Sequence, residues 1–222
     1  MEPSKFIWVV VVSVLAITVH EAAHGYVARH FGDDTAARMG RVTLNPLKHI
    51  DPIGTIVVPL VLYFATGFAF GYAKPVPVRF DRLRNPKRDM IWVALAGPLS
   101  NLAQALLWAV LGVALLALHG VIGAAGPFVY GLCGVGIVIN LMLFALNLFP
   151  LPPLDGGRVL VGLLPYQAAI TVSRVEPWGI WVVVALLVTG LLGKLWITPL
   201  ISAVLNLLDA LLPSLKFLFM FL

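Results

Sequence analysis

The sequence predicts an all-α integral membrane protein, a polytopic helical bundle, because of its composition and its long apolar runs. Of the 222 residues, 60% are hydrophobic and only 11% are charged, whereas soluble domains carry about 25% charged residues. The runs lack strand-like alternation, and hydrocarbon contains no water to satisfy an open backbone, so each run is expected to be a helix. An ordinary soluble domain is excluded.

Six apolar segments follow one another along the chain, and five to six membrane segments are expected. They lie at about 6–28, 53–70, 90–118, 127–149, 178–192 and 195–222, the last one kinked or divided at Pro199 and Pro213. The polar stretches between them are shorter than the roughly 50 residues of a separate soluble domain. We therefore expect one membrane-embedded domain over 1–222, with its core at about 6–160 and C-terminal helices at about 177–222.

Basic residues are concentrated on either side of the second apolar segment. Ten of the fifteen Lys and Arg residues lie between Arg29 and Arg88. Juxtamembrane Lys and Arg mark the cytoplasmic side of a membrane protein, so the net charge of +5 indicates no nucleic-acid partner. If both basic stretches are cytoplasmic, segment 53–70 cannot cross only once, and we expect it to be re-entrant, with an ordinary transmembrane helix as the alternative.

The first apolar segment contains the sequence His20-Glu21-Ala22-Ala23-His24. Side chains four positions apart on a helix are separated by about 40°, so both imidazoles face one way and Glu21 lies beside them. Ionisable groups in a membrane span are costly and are functional candidates by default. The pattern predicts one zinc ion per chain, with His20 and His24 as ligands and Glu21 as the base that activates water.

A catalytic zinc usually takes three protein ligands, so a third ligand is needed. His30 is six positions after His24, which turns its side chain about 120° away; we expect it near a helix end capped by Gly32. Asp155 is the better candidate, since prolines before it end a helix and Gly156 and Gly157 are expected to give the backbone freedom. A solvated turn is the alternative for Asp155.

Several motifs occur together in a fixed order. They are HEAAH at 20–24, AGPLSN at 96–101 and NLFPLPPLDGGR at 147–158, with NPLKHIDPIG and AKPVPV between the first two. In this combination the sequence resembles the site-2 protease family of intramembrane zinc metalloproteases, in a compact bacterial and archaeal branch without PDZ or CBS domains. The resemblance implies an integral protein of a bacterial or archaeal cell membrane that cleaves transmembrane segments of other proteins.

The same resemblance implies roles for individual residues. His20, His24 and Asp155 would be the zinc ligands and Glu21 the general base. Asn147 would be a catalytic polar group near the scissile carbonyl, and an interhelical hydrogen bond is its alternative role. For the remaining polar residues of the apolar segments, helix packing is favoured; these are Asn101, Gln104 and Asn140.

Two expectations concern substrates and orientation. Segments 40–45 and 74–80 look extended, and we expect short β-like strands there that pair with an unwound substrate by strand addition. The first helix is expected to run from outside to inside, which places the site toward the cytoplasmic side of the lipid bilayer.

Two other functions remain open from the sequence. One is a divalent-metal transporter, because intramembrane His and Asp residues also mark ion pathways. The other is a catalytically inactive binding protein. Glu21 separates the transporter from the protease, since a transporter has no need of a base next to its first ligand.

Overall fold

A computed structural model describes residues 3–57 and 74–222, and within these residues every regular element is helical. The α-helices are α1 (Pro3–His30), α2 (Thr35–Arg38), α3 (Pro86–Ala117), α4 (His119–Ile122), α5 (Gly126–Asn147), α6 (Asp155–Leu163), α7 (Tyr166–Ser173), α8 (Glu176–Val188), α9 (Thr198–Leu211) and α10 (Leu215–Leu218). Short turns of 3-10 or π-helix join several of them. The prediction of an all-α protein is confirmed for the described residues.

In the described part of the chain, four helical stretches are long and apolar enough to cross a membrane. They are Lys5–His30, Pro86–Ala117, His119–Asn147 and Gly193–Leu211. The pair α7 and α8, bent by 63° at the break between them, would make a fifth if it acts as one span. The helices thus indicate a multi-pass membrane protein with four to five described spans, against the five to six expected.

The predicted segment 53–70 is described only at its beginning. Pro52–Val57 forms a turn of π-helix, and the remainder of the segment lies outside the described residues. The expectation that it is re-entrant stays a prediction.

The centre of the bundle is formed by α1, α3 and α5, which pack closely because small residues face neighbouring helices. At Gly131 of α5, an added Cβ would lie 2.4 Å from the indole ring of Trp8 in α1. At Gly136 it would lie 2.5 Å from the indole of Trp108 in α3. The C-terminal helices cover the resulting core, to which Leu215 contributes a fully buried side chain. This packing brings the polar residues of three helices to one level.

Helix α1 ends in a glycine cap, as predicted. Gly32 has a φ of +112°, which glycine adopts without the Cβ clash that other residues meet. The Gly32 N–H donates to Arg29 O (3.2 Å) and the Asp33 N–H donates to Ala28 O (2.9 Å), the pairing of a Schellman motif. The chain therefore turns sharply at the level where the apolar helix stops.

The predicted break in the C-terminal segment is also confirmed. Helix α9 ends at Leu211 and α10 begins at Leu215, so Pro213 lies between two helices. Pro199 lies in the first turn of α9, where its missing N–H has no partner in any case. Only the second of the two prolines divides the segment.

The expectation of short β-like strands is wrong for both segments, 40–45 and 74–80, which contain no strand. Prolines at positions 75 and 77 remove N–H groups that a strand ladder requires. Backbone groups of the second segment bond to side chains instead. The guanidinium of Arg41 donates to two of its carbonyl oxygens, and the Val76 N–H donates to Glu21.

Asp33, just after α1, ties the helix end to the segment that leads into α3. Its side chain is fully buried; one oxygen accepts from the Thr35 N–H (3.0 Å) and the other from the Arg79 N–H (2.6 Å). Burial by itself would raise the pKa of Asp33, but the hydrogen bonds from Thr35 and Arg79 outweigh it and hold the pKa below the ordinary 3.8. The carboxylate therefore stays ionised as an anchor.

We predict that Asp33→Asn lowers the free energy of unfolding by about 1–3 kcal/mol at neutral pH, because a charge-assisted hydrogen bond to the Arg79 N–H is lost. A carboxyl whose folded pKa is depressed stabilises the fold above its ordinary pKa, and this contribution disappears as pH falls through the folded pKa. The difference in the free energy of unfolding between the wild-type protein and Asp33→Asn should therefore disappear in strong acid. Unfolding in detergent at neutral and acid pH measures both effects.

Asp34→Asn is the matched control, since Asp34 forms an exposed ion pair with Arg38. Such a pair contributes under about 1 kcal/mol. Equal losses in the two variants would contradict the anchoring role of Asp33.

Candidate metal centre

The structure brings the three predicted ligands together. His20 and His24 lie on one face of α1, and Asp155 occupies the first turn of α6. The two Nε2 atoms are 3.1 Å apart, and Asp155 Oδ2 lies 3.2 Å from that of His20 and 3.4 Å from that of His24. Both imidazoles are buried, and the Asp155 side chain is only 14% exposed.

Each imidazole is oriented by a hydrogen bond through its other nitrogen. His24 Nδ1 donates to the carbonyl oxygen of Val93 (2.7 Å). A carbonyl oxygen can only accept a hydrogen bond, so the hydrogen is on Nδ1. His20 Nδ1 lies 2.7 Å from Asn101 Oδ1 and donates to it. With their hydrogens on Nδ1, both rings present an unprotonated Nε2 to the common centre.

A chain of buried amides sets the direction of the bond to His20. The Asn140 NH2 donates to Gly136 O (2.9 Å), so its oxygen is the acceptor for the Asn101 NH2 (3.0 Å). The oxygen of Asn101 must then face His20. Both asparagines are fully buried. They do pack helices, as expected, but Asn101 also orients a candidate metal ligand, a role that the sequence reasoning missed.

The donor set fits a zinc ion. Two imidazole lone pairs and a carboxylate oxygen face one another, and Asp155 Oδ2 is buried and accepts no hydrogen bond in the described part of the chain. Without a cation these three acceptors would repel each other. Zinc bonds of about 2.0–2.1 Å in tetrahedral geometry space the ligand atoms about 3.3–3.4 Å apart, close to the separations found. Three ligands leave a fourth position open.

Helix α3 passes unusually close to the imidazoles at Gly97. An added Cβ would lie 2.4 Å from His24 Nε2 and 2.6 Å from His20 Nε2. Pro98, inside the same helix, has no N–H and disrupts the regular hydrogen bonding at this level. Only a residue without a side chain fits here, which explains the glycine in the AGPLSN motif.

Asp155 is positioned by a loop that packs tightly against the end of α5. An added Cβ at Gly156 would lie 2.2 Å from Leu148 O, and one at Gly157 would lie 2.1 Å from Pro152 N. Neither glycine has a positive φ. The expectation that they supply backbone freedom is therefore wrong, and they are needed because the chain passes so close to itself.

The remaining candidates lie outside the triad formed by His20, His24 and Asp155. Glu21 is partly buried, and its Oε2 accepts from the Val76 N–H (2.7 Å). The Asn147 side chain donates to Leu143 O in its own helix (3.0 Å), and among the described residues it forms no hydrogen bond with the three candidate ligands. His30 is exposed at the end of α1, in agreement with the expectation that it points away.

Polar residues inside apolar helices were the available signal for Asn101 and Asn140. The Val93 carbonyl carries no such signal, because every residue has a carbonyl and only the packing of α3 on α1 brings this one to His24.

Three similar proteins share one designation. Over 201 residues the chain is 39% identical to "Putative zinc metalloprotease YwhC" of Bacillus subtilis, which covers 88% of this chain and 86% of that protein. "Putative zinc metalloprotease Rip2" of Mycolicibacterium smegmatis is 31% identical over 192 residues, which cover 85% of this chain and 70% of that protein. MJ0611 of Methanocaldococcus jannaschii, with the same designation, is 29% identical over 162 residues, covering 71% and 73%. No family model and no solved structure matches.

The designation of the relatives and the donor set agree on the metal. Two imidazoles and a carboxylate with an open fourth position are the ligand set of a catalytic zinc site. The cofactor of this protein is therefore zinc, one ion per chain, and the cluster of His20, His24 and Asp155 is the group of described residues that could hold it.

We predict that Asn101→Leu weakens zinc binding by on the order of 10–100-fold, because the acceptor that orients His20 is lost. Zinc retained against a competing chelator measures the change, and circular dichroism reports the fold. Gln104→Leu is the matched control, since Gln104 is buried on the same helix and its one side-chain hydrogen bond among the described residues is a long one to Ala16 O (3.5 Å). Equal affinities of the Asn101 variant and the wild-type protein would show that His20 is oriented by other contacts.

We also predict that Gly97→Ala yields protein with little or no zinc, because the new methyl group would occupy the space of both imidazole Nε2 atoms. Elemental analysis of the purified protein measures its zinc content. Gly120→Ala serves as the control, because an added Cβ there meets nothing within 4 Å. A zinc content of one per chain in the Gly97 variant would contradict the close approach.

Proposed function

The chain belongs to the zinc metalloprotease family of YwhC and Rip2, and from this premise we propose that it is an intramembrane protease of the site-2 type. It hydrolyses peptide bonds in or near transmembrane segments of other membrane proteins. The observation that carries the proposal is the position of the site. Two ligands and a neighbouring glutamate lie within α1, a helix long and apolar enough to cross a membrane.

The depth of the site supports a substrate that is itself in the membrane. His20 and His24 precede the end of α1 at His30 by about two to three helical turns. Ten of the fifteen Lys and Arg residues lie between Arg29 and Arg88, from that end onward. By the positive-inside rule this end faces the cytoplasm. The proposed location is therefore the cytoplasmic half of a bacterial or archaeal cell membrane, with the lipid bilayer around the bundle.

The proposed reaction is the addition of water across a peptide bond. His20, His24 and Asp155 would hold the zinc ion, which would supply the Lewis acidity for activating water and polarising the peptide carbonyl. Glu21 accepts the proton of the attacking water and delivers it to the leaving amine. The buried setting strengthens these interactions, because little solvent screens them.

Asn147 is retained in the proposal as a donor to the developing oxyanion. Its NH2 group has two hydrogens, and the bond to Leu143 O uses one of them. The second hydrogen is available to a substrate carbonyl near the end of α5.

Glu21 weighs against the transporter and the inactive binding protein. It directly follows the first ligand, it is not itself a member of the ligand cluster, and its carboxylate is held by a backbone N–H. A transport site needs ligands that release the ion, whereas a held carboxylate beside the metal is what proton transfer from water requires.

We predict that purified protein cleaves some members of a panel of membrane-segment reporters, and that Glu21→Gln lowers kcat by on the order of 10²–10⁴-fold while keeping its zinc. Mass spectrometry of the fragments gives the cleavage site, and a chelator should abolish cleavage. Glu176→Gln is the control, since Glu176 forms an exposed ion pair with Arg158.

Undiminished cleavage by Glu21→Gln would contradict the role of this residue. The transporter would be favoured if the wild-type protein and Glu21→Gln carried zinc into proteoliposomes at equal rates and neither cleaved a reporter.

A further inference from the structure

The carboxylate of Glu21 is held from one side only. Its Oε2 accepts the Val76 N–H at 2.7 Å, and Oε1 accepts no hydrogen bond from the described residues. A carboxylate with one oxygen bonded to a fixed N–H keeps one orientation and presents the other oxygen. The donor therefore decides where the free oxygen of Glu21 points.

The donor is singled out by the sequence around it. Pro75 and Pro77 have no N–H, so the Val76 amide is the only backbone donor in the run 75–77. The Val76 side chain is buried against Gly25, one turn beyond Glu21 on α1. An added Cβ at Gly25 would lie 3.2 Å from Val76 Cγ1 and 2.9 Å from Val42 Cγ2. A small residue on the helix thus lets this segment come within reach of Glu21.

Arg41 holds the segment in place from its other side. Its guanidinium donates to Lys74 O (2.8 Å) and to Pro75 O (3.3 Å), the two carbonyl groups just before the Val76 amide. Arg41 is only 7% exposed, and it forms no ion pair with a described residue. A buried cation without a carboxylate is costly, and the contacts that compensate it here are those that fix the backbone beside Val76.

We propose that Arg41 is a positioning residue for Glu21, acting through the backbone of Lys74, Pro75 and Val76. The inference rests on the proposed function, in which Glu21 is the general base. Among the described residues, no hydrogen bond or ion pair joins Arg41 to Glu21 or to the three candidate ligands. It sets the place of the Val76 N–H, and this N–H sets the orientation of the carboxylate toward the attacking water.

The test uses the full chain in detergent with a cleaved membrane-segment reporter. Arg41→Met keeps the apolar stem and removes every donor. It should lower kcat by about tenfold or more, with the 10²–10⁴-fold contribution of a general base as the upper limit. KM and zinc content should not change. Arg41→Lys should restore part of kcat, because an ammonium group can still donate to a carbonyl oxygen. Arg38→Met, which removes an exposed ion pair with Asp34, is the control.

Two further measurements separate positioning from a general structural effect. In the Glu21→Gln background, Arg41→Met should cause no additional loss of kcat, because both changes act on one group. Hydrogen exchange reports the contact without any activity. The Val76 amide should be protected in the wild-type protein and should exchange faster in both Arg41→Met and Glu21→Ala.

The outcomes are distinguishable. If the wild-type protein is active and Arg41→Met has an equal or higher kcat, the positioning role is overturned. The same holds if Arg41→Met changes only KM, or if the exchange rate of the Val76 amide is unchanged. A wild-type protein that cleaves no reporter, although its Val76 amide is protected as expected, would overturn the proposed function and with it the catalytic meaning of the contact.

Discussion

The structure depends on three lone-pair donors that face one another inside an apolar bundle. His20 Nε2, His24 Nε2 and Asp155 Oδ2 lie 3.1–3.4 Å apart, and such an arrangement is repulsive unless a cation binds between them. Burial removes the solvent that would otherwise weaken this repulsion. We therefore expect zinc binding and the folding of the bundle around the site to be coupled, as in other metal sites.

Helix α3 contributes no ligand, yet it organises the site. Gly97 gives the imidazoles room, the Val93 carbonyl orients His24, and Asn101 orients His20. All three contacts lie within about two turns of one helix. Because Asn140 of α5 fixes the amide of Asn101 in turn, the tautomer of a metal ligand depends on the packing of three helices.

Local chemistry predicted much of this protein. The apolar runs predicted most of the helices, and Gly32 and Pro213 predicted helix ends. The four-residue spacing of His20 and His24 predicted that both imidazoles lie on one face of the helix. The expected strands failed where a local pattern was ambiguous. An extended, proline-containing stretch can pair with a strand or bond to side chains, and here Arg41 and Glu21 supplied the partners.

The sequence by itself determined the helical class, the zinc chemistry of HEAAH and the need for a third ligand, because these follow from periodicity and side-chain type within short windows. Only the tertiary structure decided that Asp155 reaches both histidines, that Asn101 and the Val93 carbonyl orient them, and that the Val76 N–H meets Glu21. All of these contacts join residues far apart in the chain. Two of them are made by backbone groups, the Val93 carbonyl and the Val76 N–H, which almost every residue type carries and which therefore give no signal in the local sequence.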